Sequence, residues 1–291
     1  MGKVLTIIDG KEIDVERDRW VLDVAREMGI YIPTLCHHPA LQPYGACRLC
    51  VVEVTKGKGN WLATSCDLPI REGLSIRTNT PEVIKSRKMT IELLWARAPA
   101  AECIRRLAKE LGVEKPRFSL RDDLGKCILC GLCVRVCNEL IGVSALSFTM
   151  RGVERKVKTP FDRASDSCIG CNACVAVCPT GHVVSVDKGA VRHIETWKTK
   201  LDMVRCEVCG RAYMSVKEFE YIQAKLGEQT FLEKVCPICR RLQTASRLEG
   251  VAANKENFEV PGPNCLPMDC LRNYSLWNRK NAVATKQHRK L

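Results

Sequence analysis

No stretch of this 291-residue chain is long and apolar enough to cross a bilayer, and no charged leader with an apolar core opens it. Met1-Gly2-Lys3-Val4-Leu5-Thr6 runs straight into a strand-like stretch, so a cytoplasmic protein without a membrane span is expected. Histidine is scarce, five in all, and aromatic residues make up only 5% of the chain. Aromatics interleaved with basic clusters are sparse around the C-terminal cysteines, so nucleic acid is not an expected partner. A glycine-rich dinucleotide loop is lacking too: Gly57-Lys58-Gly59-Asn60-Trp61-Leu62 has no third glycine and reads as a hairpin tip. No phosphate loop, flavin pattern or hydrogen-activating metal motif stands out. The chain thus shows no place of its own for NAD(P), a flavin or a substrate, and no catalytic residue is expected.

Cysteine is what the chain has in excess, nineteen of them. They come largely in C-x2-C pairs, which favour metal over disulfides in a reducing compartment. Eight repeat the spacing C-x2-C-x2-C-x3-C twice: Cys127, Cys130, Cys133, Cys137, then Cys168, Cys171, Cys174, Cys178, the second copy ending in Pro179. This spacing resembles the bacterial ferredoxin run, where each block holds a [4Fe–4S] cube and its fourth cysteine ligates the other cube. On that rule cube I takes Cys127, Cys130, Cys133 and Cys178, and cube II takes Cys168, Cys171, Cys174 and Cys137. Asn138 replaces a proline after Cys137, a departure that removes no ligand. Ile128, Leu129, Leu132, Val134, Val136, Ile169, Val175 and Val177 supply apolar surroundings that exclude water and help set the potential.

Residues 1–80 read as β-rich. Val4–Ile8 and Glu12–Val15 alternate around Asp9-Gly10, a favoured tight-turn pair. Trp20, Val21, Val24, Ala25 and Met28 follow at helical spacing, with Gly29 as the stop. Strands fit Val51–Val54, Trp61–Thr64 and Leu74–Arg77, the order of a β-grasp. Cys36, Cys47, Cys50 and Cys66 are separated by ten, two and fifteen residues. Three ligands from one loop and a fourth further on suit a [2Fe–2S] rhomb, and Gly45 and Ala46 let that loop close over it. His37 and His38 are not expected to ligate, since four cysteines are already present. Thr80-Pro81-Glu82 opens a helix running to about Ala96, and a second spans Ala101–Leu111.

The ten-two-fifteen spacing followed by the dicluster run resembles the N-terminal region of the large iron–sulfur subunit of respiratory complex I. It is similar also to the diaphorase-side subunit of NAD-reducing hydrogenases and to iron-only hydrogenases. That resemblance implies a further cluster on His-x3-Cys-x2-Cys-x5-Cys between the domains. Here only Cys103 remains; Pro99, Arg106 and Gly112 occupy the other positions. This cluster is therefore expected to be absent, with Cys103 a small buried hydrophobe.

Cys206-Glu-Val-Cys209 and Cys236-Pro-Ile-Cys239 form two knuckles separated by 26 residues. Such pairs favour tetrahedral Zn²⁺ in a closed site, with an Fe–S cluster as the alternative. Between them Ser215-Val-Lys-Glu218 opens a helix with a capping box. The surrounding string resembles the C-terminal knuckle of ferredoxin-like subunits of formate hydrogenlyase. Cys265 and Cys270 read as structural thiols. Acids are outnumbered, 33 against 46 basic residues, for a formal +13. Three clusters and one zinc tetrathiolate at about −2 each would bring this to about +5.

The expected class is α+β: a β-grasp [2Fe–2S] domain (1–80), a helical linker (81–115), a 2[4Fe–4S] ferredoxin domain (116–195), a zinc-ribbon-like module (201–245) and a basic tail (246–291). The expected role is a non-catalytic relay of single electrons. The resemblance implies a flavin-containing NAD(P)H-oxidising subunit on one side and a catalytic subunit of a [NiFe]-hydrogenase complex, electron-bifurcating or not, on the other. The same wiring in a formate dehydrogenase or other bifurcating oxidoreductase complex, and a free-standing ferredoxin-like carrier, are the alternatives; ferredoxin is a further candidate partner.

Overall fold

In the computed structural model the chain is described at residues 2–121, 125–227 and 232–247. These fall into two compact units: residues up to 203 with 214–227, and 204–213 with 232–247. The helix between the last two cysteine pairs therefore goes with the larger unit. The basic tail, with Cys265 and Cys270, lies outside the described residues.

β1 (Lys3–Ile8) and β2 (Lys11–Glu16) pair antiparallel about Asp9 and Gly10, whose φ of 47° and 78° suit the tight turn. Val4, Thr6 and Ile8 of β1 are buried while Lys3 and Leu5 are exposed, the two-residue period of a half-buried strand. α1 (Val21–Glu27) lays Val21, Leu22, Val24 and Ala25 into the same core. β3 (Val51–Lys56), β4 (Gly59–Thr64) and β5 (Ser75–Arg77) complete a sheet of order β2-β1-β5-β3-β4, in which only β1 and β5 run parallel. Each fully buried aliphatic side chain here, such as Ile8, Leu22, Val52 or Ile76, contributes roughly 1.5–3 kcal/mol. The same core encloses Cys50 and Cys66.

α2 (Pro81–Arg97) starts as its sequence dictates. Thr80 Oγ1 accepts from the Val83 amide at 3.3 Å, and Pro81 fills the first turn where no amide is needed. α3 (Glu102–Glu110) follows after a short corner. Ile91, Ala98, Ala101, Ile104 and Leu107 from this pair join Leu35, Cys36, Cys47 and Leu49 on one side to Ile128, Cys130, Leu132 and Val136 on the other. The helical pair is thus the apolar filling between the first cysteine loop and the first dicluster block.

The dicluster region is mostly loops and single turns. α4 (Leu132–Arg135) runs into a π-helical turn at Val136–Ile141. There the Cys137 carbonyl accepts from the amides of Gly142, Val143 and Ser144 at 3.0, 3.1 and 3.3 Å. β6 (Ser147–Thr149) and β7 (Lys156–Lys158) form a small antiparallel pair. α5 (Ala173–Ala176) carries Cys174 of the second block. β8 (Ser185–Lys188), β9 (Val191–Ile194) and β10 (Thr199–Arg205) pair antiparallel in sequence. β11 (Ala212–Ser215) leads into α6 (Val216–Leu226), capped by Ser215 Oγ accepting from the Glu218 amide at 3.0 Å. α7 (Pro237–Arg247) ends the described chain. No helix among the described residues is long and apolar enough to cross a membrane.

Candidate metal centres

The first site grows out of the loop that precedes β3. Cys36 and Cys47 lie on that loop, Cys50 stands just before β3, and Cys66 follows β4; all four are buried. Their sulfurs fall into two couples. Cys47 hydrogen-bonds with Cys36, and Cys50 with Cys66, which lowers Cys47 to about 6 and Cys50 to about 7. The same bonds, with burial, push Cys36 and Cys66 up. A [2Fe–2S] rhomb has two irons, each needing two thiolates, and two couples match that demand. The Cys47 amide also donates to Cys36 Sγ at 3.3 Å. Gly45, at φ +62°, closes the loop where a Cβ would fall 2.5 Å from Asp67 Oδ2. Of the two histidines, His38 Nδ1 accepts from the Ala40 amide at 3.2 Å, while the His37 side chain is buried with Nε2 3.7 Å from Asp23 Oδ1 and neither ring nitrogen hydrogen-bonded.

The two dicluster blocks fold across each other and leave two cavities. One is walled by Cys127, Cys130, Cys133 and Cys178. The other is walled by Cys137, Cys168, Cys171 and Cys174. Each set joins three cysteines of one block to the fourth of the other. Ile128, Leu129, Val157 and Val183 line the first, and Val143, Leu146, Ile169 and Ile194 the second. Such walls keep water out and raise the free-energy cost of an uncompensated thiolate. Burial accordingly pushes Cys130 and Cys174 up to about 12, and raises Cys127, Cys133, Cys168 and Cys171 as well. Sulfur sets of this kind become thiolates when a cationic metal core supplies the missing charge, so the donors fit iron–sulfur clusters. The Ala145 amide donates to Cys137 Sγ at 3.3 Å.

Three groups of this region carry no spacing signal. Trp197 is buried and walls both cavities. Arg192 is buried behind the second block: Nη1 donates to the Gly170 carbonyl at 2.8 Å, while Nε and Nη2 bind Asp187 at 2.8 and 2.9 Å. Arg135, inside the first block, donates to the Gln42 carbonyl and to Glu139 Oε1 (3.0 Å), and its guanidinium lies 5.2 Å from the Tyr44 ring centre. Gln42 and Tyr44 belong to the loop between Cys36 and Cys47, so Arg135 ties the first site to the first block. Their signal is long-range contact, which spacing along the chain does not encode.

Cys103 lies half-buried on α3 against the apolar filling, its thiol raised by burial. Arg106, at one of the pattern positions around it, faces Glu110 at 4.0 Å.

In the smaller unit Cys206, Cys209, Cys236 and Cys239 bring all four sulfurs within 4.8 Å of one another, and Cys209 Sγ stands 3.8 Å from Cys236 Sγ. A metal–sulfur bond of about 2.3 Å in a tetrahedron requires sulfurs about 3.8 Å apart. The set therefore fits one tetrahedral ion. The amides of Cys236 and Cys239 donate to Cys206 Sγ and Cys236 Sγ at 3.3 and 3.4 Å. Burial pushes Cys206 up, but amides of Cys236, Cys209 and Val208 outweigh it and bring the thiol to about 6.

Residues 3–81 match the 2Fe-2S iron-sulfur cluster binding domain, and residues 126–182 match the 4Fe-4S dicluster domain. The chain is 34% identical over 214 residues to the NADP-reducing hydrogenase subunit HndD of Solidesulfovibrio fructosivorans, covering 63% of this chain and 36% of that one. Against the NADPH-Fe(3+) oxidoreductase subunit alpha of Geobacter sulfurreducens it is 32% identical over 201 residues, 61% and 24% of the two chains. Against the 78 kDa subunit of mitochondrial NADH-ubiquinone oxidoreductase of Neurospora crassa it is 28% identical over 209 residues, 63% and 28%. The chain spans roughly a quarter to a third of the length of these relatives. It is an α+β iron–sulfur chain related to subunits of NADH- and NADPH-linked oxidoreductases, hydrogenase among them.

Proposed function

We propose that this chain is a cytoplasmic electron-transfer subunit that holds three iron–sulfur clusters and one structural zinc. Cys36, Cys47, Cys50 and Cys66 hold a [2Fe–2S] centre, Cys127, Cys130, Cys133 and Cys178 one [4Fe–4S] cube, and Cys168, Cys171, Cys174 and Cys137 the other. When bound, these centres supply one-electron redox chemistry. The protein's part is to hold the thiolates, aim amide N–H groups at their sulfurs, exclude water with aliphatic walls and fix the sites in one apolar filling. Cys206, Cys209, Cys236 and Cys239 hold zinc, favoured over a cluster because sulfurs within 4.8 Å enclose one ion.

The observation that carries the reading is the pair of cavities, each walled by three cysteines of one block and the fourth of the other. Similarity to a subunit of an NADP-reducing hydrogenase supports a place in an NAD(P)-linked complex, and we place the chain there between a flavin-containing subunit that oxidises NAD(P)H and the catalytic subunit of a [NiFe]-hydrogenase. Anaerobic purification through this subunit tests that placement. The complex should contain flavin and nickel, and NAD(P)H should reduce the iron–sulfur signals. Isolation with molybdenum or tungsten in place of nickel would assign the chain to a formate dehydrogenase. Recovery as a metal-replete monomer would leave it a free carrier.

A further inference from the structure

Outside the cysteine cavities, the larger unit opens a cleft of about 270 Å³ whose walls include Arg97, Arg121, Arg155, Lys156 and Lys158. Cys127 is also a wall of this cleft, and the cleft shares Leu129, Val157, His182 and Trp197 with the first sulfur cavity. The basic groups are held in place. Arg97 Nη2 donates to the Arg155 carbonyl at 3.0 Å, the Arg155 guanidinium lies 4.0 Å from the Phe148 ring centre, and Lys158 Nζ stands 2.8 Å from Asp162 Oδ2. Lys156 is exposed. Asp162 lines the cleft, and Asp122 and Asp123 follow Arg121 in sequence, outside the described residues. Even counting all three acids, and Glu154 of the adjoining hollow, the five Lys and Arg side chains stay in excess.

The same region leaves large apolar side chains in solvent. Met150 is 77% exposed, Val153 78% and Phe161 93%. Val153, with Leu93 and Leu120, lines an open hollow that shares Arg97 and Arg121 with the cleft. A small anion would use the cations and ignore these side chains. A protein surface uses both, since apolar contact supplies affinity and complementary charge supplies orientation and rate. The chain's own tail is a poor occupant, because residues 255–291 carry seven Lys and Arg against three acids.

We propose that this cleft is a docking port for an acidic redox protein, seated so that its redox group lies against Cys127. The proposal rests on the reading of Cys127 as a ligand of a [4Fe–4S] cube. The exchange is of one electron, which one centre loses and the other gains, with no bond made or broken. It would give electrons an exit where Pro99, Arg106 and Gly112 leave Cys103 without companions for a further cluster.

The test uses the full-length chain with its metal centres, prepared anaerobically, titrated with an acidic flavodoxin and separately with basic cytochrome c. Flavodoxin should bind, weaken steeply as salt rises, and lose roughly tenfold in affinity on Lys156→Glu. Lys58→Glu, an equal charge change at the exposed β3–β4 turn, should change it little. Carbodiimide, which joins lysines to carboxylates, should couple Lys156 to flavodoxin. Salt-independent binding, an equal loss in both variants, or preference for cytochrome c would overturn the port. So would phosphate competing at constant ionic strength without any flavodoxin complex, since that marks a small-anion site. A preparation lacking iron defeats the relay reading itself; full iron with unaltered flavodoxin binding in Lys156→Glu defeats only the port.

Discussion

At Gly170 the backbone turns at φ +70° between Cys168 and Cys171, and a Cβ there would sit 2.5 Å from Leu201 Cδ1 and 3.3 Å from Ser215 Cβ. Arg192 holds the same peptide from behind through its carbonyl. Gly170→Ala therefore strains the backbone at this φ and requires Leu201 or the second cysteine loop to shift. We expect iron to fall from about ten to about six per chain while the [2Fe–2S] signal persists; unchanged iron would show that the loop yields at no cost to the cube. Cys103 gives the complementary prediction. It is half-buried, and on our proposal it holds no cluster, so alanine should replace it with no loss of iron or labile sulfide. A drop of about four irons in Cys103→Ala would make it a cluster ligand. At this scale the spacing of the cysteines was readable from the chain alone. Trp197 and Arg192 were not, because nothing in their local sequence separates a cavity wall from an ordinary core residue.

Among elements, the hairpin about Asp9-Gly10 and the start of α2 at Thr80-Pro81 were legible because turn and cap chemistry is local. The π-helical turn at Val136–Ile141 was not, since it answers to three amides converging on the Cys137 carbonyl. Nor was the clamp between the first cysteine loop and α4, whose partners Arg135 and Gln42 stand 93 positions apart. Arg135 is buried, so its removal takes a donor from the Gln42 carbonyl and breaks the ion pair with Glu139. We predict that Arg135→Ala costs about 2–4 kcal/mol, read as a lower denaturant midpoint for loss of visible absorbance. Arg135→Lys should recover part of that loss, because one donor is restored without the planar fork. An unchanged midpoint in both would mean the clamp contributes no stability.

Over the whole molecule the two units make separable predictions. The four sulfurs of the smaller unit fit a single ion, so a zinc chelator should remove one metal and unfold that unit by amide exchange. The absorbance of the larger unit should stay. Loss of iron colour in step with zinc would contradict independent sites. That the chain is an α+β iron–sulfur protein was readable from its cysteine register, because that register is the chemistry. The enzyme at the far end was not, because partner choice lives on surfaces such as the cleft beside Cys127. The most direct measurement is iron, labile sulfide and EPR on the anaerobically purified chain. About ten irons and ten sulfides, with one [2Fe–2S] signal and two interacting [4Fe–4S] signals, is the predicted result. A colourless preparation, or about fourteen irons, would contradict three clusters held by twelve cysteines.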